Sequence, residues 1–393
     1  MKLITNNEGI VTKIFAKTIE NEALSQIINL CNNDAYSNNK IRVMPDCHAG
    51  KGCTIGTTIQ LTDKVTPNLV GVDISCSILV CHILQKDINL EKLDEIINKY
   101  IPSGFSIHEK ALTDFNLRGL KCYNVVDNDM ALRSIGSLGG GNHFIEIDKD
   151  DDGNNYLVIH SGSRNLGVRV CKYYQELAIS KLSDNSELVK ETIQRLKNDN
   201  RTSEICSELS KLSKNKVDKD LAYVEGDDFN DYIHDMKIIQ NYAHENRLMI
   251  ADIIKEYMNF TYIDCFETLH NYIDTDNMIL RKGAVSAQLG ERMIIPMNMR
   301  DGSLICIGKG KEDWNYSAPH GAGRIMSRSK AKKNIEIDEF KESMNGIYST
   351  SVCNSTIDES PMAYKPMGEI IECIKDTVDI IKIIKPIYNF KAK

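Results

Sequence analysis

The sequence predicts a mixed α and β chain folded as one unit, on three observations. Short apolar runs bounded by glycine alternate with helical patterns up to about residue 180. A polar, highly charged stretch and a long helical pattern follow, and strand-like segments resume at Arg281. No Pro- or Ser-rich linker and no internal repeat marks a boundary within the 393 residues.

In chain order, the strand-like runs are Cys53–Leu61, Leu69–Leu84, His143–Ile147 and Tyr156–Ile159. Helical spacing appears over Thr18–Cys31, Leu90–Tyr100 and Gly167–Leu182. Residues 183–220 carry Leu188, Val189, Ile193 and Leu196 at helical spacing in charged surroundings. That pattern reads as an exposed helical hairpin, solvated rather than catalytic. A long helix is expected over Asp228–Met258, with Tyr232, Met236, Ile239 and Ala243 as an apolar stripe for core packing. The helical insertion as a whole covers approximately 183–258. Met367–Ile384 is expected to close the chain as a helix.

Composition bounds the function. With 42% hydrophobic and 26% charged residues, the chain reads as a soluble globular protein with a large core. No run of about twenty apolar residues is present to span a membrane. The start, MKLITNNEGIVTKIF, lacks the basic-then-apolar layout of a secretory signal. Twelve cysteines without a regular framework point to reduced thiols and a cytoplasmic location. A net charge of −7 excludes a global field for nucleic acid, so any RNA or DNA contact must be a local basic patch.

Several residues carry chemistry by type and setting. SAPHGAGR places His320 on a glycine-rich turn, where Gly321 and Gly323 leave room for a ligand or phosphate near the backbone. Asp73 and Cys76 in GVDISC pair a hard oxygen with a soft thiolate, which suits a borderline divalent metal. His143 follows the glycines of GGGN, His160 ends the apolar run YLVIH, and His270 sits before Asn271. A thiolate can bridge two ions, so one Cys, one Asp and three His suffice for a two-metal site that neutralises phosphate oxygens. No Cys-x-x-Cys pairing suggests a zinc cage, and GKGCTIG and GKG lack the spacing of a phosphate-binding Walker loop. MPDCH puts Asp46 and His48 on a turn after Pro45. Asp46 either holds the tautomer of His320 or is an ordinary turn aspartate, and the residues alone leave both open.

MPDCHAGKG, GVDISC, SLGGGNHF, HSGSRNLG, His270–Asn271, RKGA, SAPHGAGR, DESPMAYK and NFKAK occur in one order along nearly the whole chain. In this the chain resembles the RtcB-type RNA-splicing ligases, which join RNA ends using GTP and manganese, and within them the shorter branch with an IPMNMRDGS segment. The resemblance implies an α+β fold: a single mixed domain spanning residues 1–393, with central β-sheets, surrounding helices, the charged helical insertion and metals at the bottom of a cleft.

The resemblance also assigns roles. His320 is the expected nucleophile toward the α-phosphate of GTP, oriented by Asp46. Asp73, Cys76 and His143 would hold one Mn2+, and Cys76, His160 and His270 the second. Nucleotide contacts are implied for Asn142, His143, Phe144, Ile145, Glu146, His270, Asn271, Pro296, Met297, Asn298, Met299, Ser303, His320, Gly321, Ala322, Gly323 and Lys391, with Tyr364 stacking on the base. Arg164, Arg281 and Arg324 fit as clamps for RNA phosphates. The implied partner is RNA with a 3′-phosphate or 2′,3′-cyclic phosphate and a 5′-hydroxyl, with no membrane. Departures from the pattern are GVDISCS for the commoner GVDIGCG, PMNMR for PGSMG, and Pro319 where cysteine is frequent. Two other readings use the same residues: a metal phosphodiesterase that trims RNA ends without joining them, and an RNA-binding or damage-sensing module.

Overall fold

Two large sheets organise the chain, and the computed structural model describes residues 1–184, 186–212 and 217–392. The larger sheet has seven strands, in the order Tyr262–Leu269, Ser77–Ile83, Asn155–Ser161, Phe144–Lys149, Val378–Lys391, Gly302–Gly308 and Arg292–Asn298. All its pairs are antiparallel. Its two edges meet: the Ile294 amide donates to Thr268 Oγ1 at 3.1 Å, and Arg292 pairs with Asp264 while lying 4.1 Å over the Phe266 ring. The sheet therefore curls toward a barrel. Alternation along its strands sends Ile78, Val80, Phe144, Tyr156, Val158, Ile294, Ile305 and Ile384 to one shared interior.

The smaller sheet runs Lys2–Thr5, Val11–Ile14, Ile41–His48, Ile55–Gln60, Ile279–Lys282 and Asn271–Asp274. Its one parallel pair joins Val11–Ile14 to Ile41–His48. A 33-residue helix, Gly226–Met258, about 50 Å long, serves both sheets. Its first half buries Phe229, Tyr232, Met236, Ile239 and Tyr242 with Ile41, Val43 and Ile59 of the smaller sheet. Its second half buries Ile250, Ala251 and Ile254 against Ile145, Ile147, Leu157 and Ile159 on the outer face of the larger one. The stripe residues Tyr232, Met236, Ile239 and Ala243 are all fully buried. The result is a single mixed α+β domain.

Local patterning placed most elements to within a few residues. The helices run Asn21–Cys31, Leu90–Tyr100 and Arg164–Ser183, and the glycine-bounded strands Ile55–Gln60, Phe144–Lys149 and Asn155–Ser161. Four expectations need correction. Leu69–Leu84 is not one strand: Pro67–Val70 forms a helical turn, Gly71 breaks it at φ +101°, and pairing begins at Ser77. MPDCH lies within the strand Ile41–His48, not on a turn, and the register against Ile55–Gln60 shifts between Val43 and His48. Met367–Ile384 is not one helix. The helix ends at Ile374, and Val378–Lys391 is a 14-residue strand in the middle of the larger sheet. Its β-branched run gains ladder bonds from partners distant in sequence, which a local helical count does not register. Finally, the thiols are not all reduced, since Cys81 and Cys265 face each other across paired strands and are bonded.

The charged segment does form helices, Ser186–Asn198 and Ile205–Leu212, joined through a short turn at Thr202–Glu204. It is not wholly solvated, because Leu196 is buried. The Leu188 side chain lies outside the described residues.

Candidate active site

Four neighbouring strands of the larger sheet bring their same ends to one point. Leu269 faces Ser77, Ser77 faces Ser161, and His160 faces Phe144 in register. His270, Cys76, His160 and His143 stand at or beside those ends, so residues remote in sequence become neighbours. Asp73 joins them from the loop before Cys76. A Cβ at Gly162 would lie 2.1 Å from Asp73 Oδ1, so the glycine of SGS is what gives that carboxylate its place.

The five side chains form two overlapping groups, Asp73–Cys76–His143 and Cys76–His160–His270, with all ligand atoms of each group within 4.8 Å of one another. Cys76 Sγ is 3.4 Å from His143 Nε2 and 3.1 Å from His160 Nε2. His160 Nε2 is 3.2 Å from His270 Nε2, and His143 Nε2 is 2.8 Å from Asp73 Oδ2. The opposite ring nitrogens are occupied: His143 Nδ1 lies 2.8 Å from the Leu138 carbonyl and His160 Nδ1 3.2 Å from that of Asn142. Donation there leaves each Nε2 lone pair aimed at the shared centre, the usual way a metal-binding imidazole is held. Burial, then the neighbouring imidazoles, pushes His160 well below its ordinary value; burial, then His320, does the same for His270. Both are neutral, as ligation requires. Burial and the adjacent Asp73 raise the Cys76 thiol far above its ordinary value, a cost that a bound cation would reverse. One sulfur, three nitrogens and one carboxylate make a donor set that fits borderline divalent ions.

The long helix supports this cluster from behind with two buried polar residues. Asn246 accepts from the amides of Gly136 and Ser137 and donates to Ser161 Oγ and the Gly162 carbonyl. Arg247 donates to the carbonyls of Ser75 and Ser161 and pairs with Glu267. Neither was singled out from the sequence. The available signal was two polar residues continuing an apolar stripe between Ala243 and Ile250.

His320 follows the short strand Ser317–Pro319, and its ring centroid is 5.1 Å from that of His270. Asp46 Oδ2 accepts from the His320 amide at 3.2 Å and from ring Nδ1 at 2.6 Å. Two bonds to one carboxylate fix both the backbone and the ring, leaving Nε2 with its lone pair. Gly323 is at φ +75°, and a Cβ there would sit 2.2 Å from the Asp46 carbonyl oxygen, so the HGAGR turn closes only with glycine at that place.

Beside His320 lies a cleft of about 210 Å³. It is lined by the metal-cluster residue His160 and, from the expected nucleotide-contact set, by Asn142, Phe144, Glu146, His270, Pro296, Met297, Asn298, Met299, His320, Gly321, Ala322, Gly323, Tyr364 and Lys391. Four residues of that set do not line it. Ile145 points to the opposite face of its strand, into the apolar core. Asn271 Oδ1 accepts from the Gly283 amide, His143 is taken up in the metal cluster, and the Ser303 side chain is buried with its hydroxyl unpartnered. The PMNMR departure is accommodated: Met297 and Met299 are buried, and Asn298 Oδ1 caps the turn by accepting from the Arg300 and Asp301 amides.

The arginines separate. Arg281 is fully buried, with its nitrogens bonded to Ser317 Oγ, Tyr272 Oη, Asp274 and the Tyr316 carbonyl. It anchors the strand before His320 and offers no fork to RNA, which corrects the clamp expectation. Arg324 lines the cleft, and Arg164 stands by the cluster, bonded to Ser137 Oγ and the Gly104 carbonyl. Four further lining residues had no site role in the sequence reading: His48, Ile78, Arg328 and Glu359. Glu359 joins Lys391, Arg328, Arg324 and the Tyr364 hydroxyl. Burial opposes its charge, yet Lys391 and Arg328 hold its carboxyl below the usual range. No helix among the described residues is long and apolar enough to cross a membrane.

Comparison with known proteins gives a consistent picture. The family profile described as tRNA-splicing ligase RtcB matches residues 26–126 and 120–392. The RNA-splicing ligase RtcB of Escherichia coli K12 is 29% identical, over 99% of both chains. The tRNA-splicing ligase RtcB of Archaeoglobus fulgidus is 24% identical over 93% of this chain and 89% of its own. RNA-splicing ligase RtcB2 of a second E. coli strain is 25% identical over 88% and 86%.

Proposed function

The chain belongs to the RtcB family of tRNA-splicing ligases, and from that premise and the cleft geometry we propose a GTP- and Mn2+-dependent RNA ligase. It would join 3′-phosphate or 2′,3′-cyclic phosphate ends to 5′-hydroxyl ends through a histidine–GMP adduct, in RNA repair or tRNA splicing. The observation that carries this reading is the His320 ring held through Nδ1 by Asp46, with Nε2 left for the cleft.

In this scheme His320 Nε2 attacks the α-phosphorus of GTP; a P–N bond forms and pyrophosphate leaves with the P–O bond electrons. The guanylylated ring, still protonated at Nδ1, then carries positive charge, and the Asp46 carboxylate stabilises it. Protein donors serve the nucleotide: Lys391 and Arg324 from the cleft wall, and Tyr364 as the ring for the base. Asp73, Cys76 and His143 would hold one Mn2+ and Cys76, His160 and His270 the other, supplying charge neutralisation at phosphate oxygens. An RNA 3′-phosphate displaces the histidine and takes up the guanylyl group, and the 5′-hydroxyl attacks that activated end as GMP leaves. A 2′,3′-cyclic end is first hydrolysed to the 3′-phosphate.

The test is joining of RNA with 3′-phosphate and 5′-hydroxyl ends in the presence and absence of GTP. Strict GTP dependence is expected. RNA-end products formed equally well without GTP would favour the phosphodiesterase reading instead.

A further inference from the structure

Phe105 has no apolar packing role to explain it. Its side chain is 106% exposed, the largest value for any large apolar residue among those described. Yet its position is fixed. It sits at the tip of a turn in which the Ser106 amide donates to the Ser103 carbonyl and Gly104 takes φ +64°. The turn is fastened to the glycine run that leads into Asn142 and His143. The Gly104 amide donates to the Gly139 carbonyl at 2.9 Å, and the Leu138 amide to that of Pro102 at 2.9 Å. The Gly104 carbonyl in turn accepts from Arg164 at 2.9 Å, and the same guanidinium favours the charge on Asp73. Gly140 lies beside Gly104, at a distance where a Cβ would be in ordinary van der Waals contact with its Cα. The turn that carries this solvated ring is thus tied through one arginine to the rim of the metal cluster.

We propose that Phe105 is a stacking platform for an RNA base, holding the nucleotide next to the reacting end while its phosphate lies at the metal cluster. This rests on the ligase reading and adds a substrate contact to it. Single-stranded RNA is recognised largely by unstacked bases lying on aromatic faces, a contact indifferent to sequence. A single solvated ring between Gly104 and Ser106 suffices for stacking on a base, whereas a protein partner needs a contiguous apolar patch. Arg164 and the cluster supply the phosphate side of the same nucleotide, and the ring supplies the base side.

The test uses F105A and F105W in the full chain with an oligoribonucleotide bearing 3′-phosphate and 5′-hydroxyl ends. In F105A the His320–GMP adduct forms from GTP and Mn2+ at the parental rate, since that step needs no RNA. Its KM for the RNA rises roughly tenfold with kcat little changed, and F105W restores the parental KM. The native Trp314 is buried at 4% exposure, so the indole of F105W also reports directly, its emission quenched on titration with the RNA. A parental KM in F105A, or F105W emission unmoved by saturating RNA, overturns the proposal, including the case of a protein partner at this ring. If the parent itself forms no adduct, the ligase reading fails, and quenching of F105W still decides whether the ring stacks on RNA.

Discussion

Arg247 and Glu267 form an ion pair beneath the metal cluster, and Arg247 spends its remaining contacts on the carbonyls of Ser75 and Ser161, at 3.0 and 2.8 Å. Those two carbonyls belong to residues adjoining Cys76 and His160. The arginine side chain is fully buried, so its removal leaves two acceptors unpaired and Glu267 with only His244 to balance its charge. R247M is expected to lose about 3–5 kcal/mol of stability, measured by urea unfolding, and to weaken divalent metal binding. Parental stability would show that the pair does not hold the cluster in place.

The same pair sets an acid limit. Burial alone would raise the Glu267 carboxyl, but Arg247 and His244 hold it down to about 2 from an ordinary 4.5. A depressed folded value means that its contribution is present above about 4.5 and is lost as pH falls toward 2. The wild-type protein should therefore lose stability through that window more steeply than E267Q, as read by thermal melts at successive pH values. Equal slopes would contradict it.

Ser75 adopts φ +60° and is fully buried with its hydroxyl unpartnered. Both features cost free energy that glycine avoids. S75G is expected to gain about 1 kcal/mol, seen as a rise of roughly 1 °C in Tm. A lower Tm would mean that the hydroxyl has a partner in solution.

Cys76 is common to both ligand groups, whereas His143 belongs to one. In metal analysis after equilibration with Mn2+, C76S should lose both ions and H143A mainly one. Equal losses from the two variants would deny that the sulfur is shared.

Local chemistry made part of this site legible and concealed the rest. His143, His160 and His270 could be singled out because each stands at a strand end or beside glycines, and the sheet register then explains why they meet. Asp46 was ambiguous in the sequence, since the bond to His320 spans 274 residues and nothing local encodes it. Ile145 shows a different limit: it shares a motif with Phe144 and Glu146, but the two-residue strand period turns its side chain into the core. Val378–Lys391 was misread because a strand's partners are supplied by the fold. Asn246 and Arg247 escaped notice because a polar residue on an apolar stripe shows its purpose only when the carbonyls it serves are in view.

The most direct measurement is covalent labelling with α-labelled GTP and Mn2+ in the absence of RNA. The account predicts a GMP label on His320 that is acid-labile, absent in H320A, and formed at least about a hundredfold more slowly in D46N, whose amide cannot stabilise the charged ring. A label that persists in H320A would contradict the account.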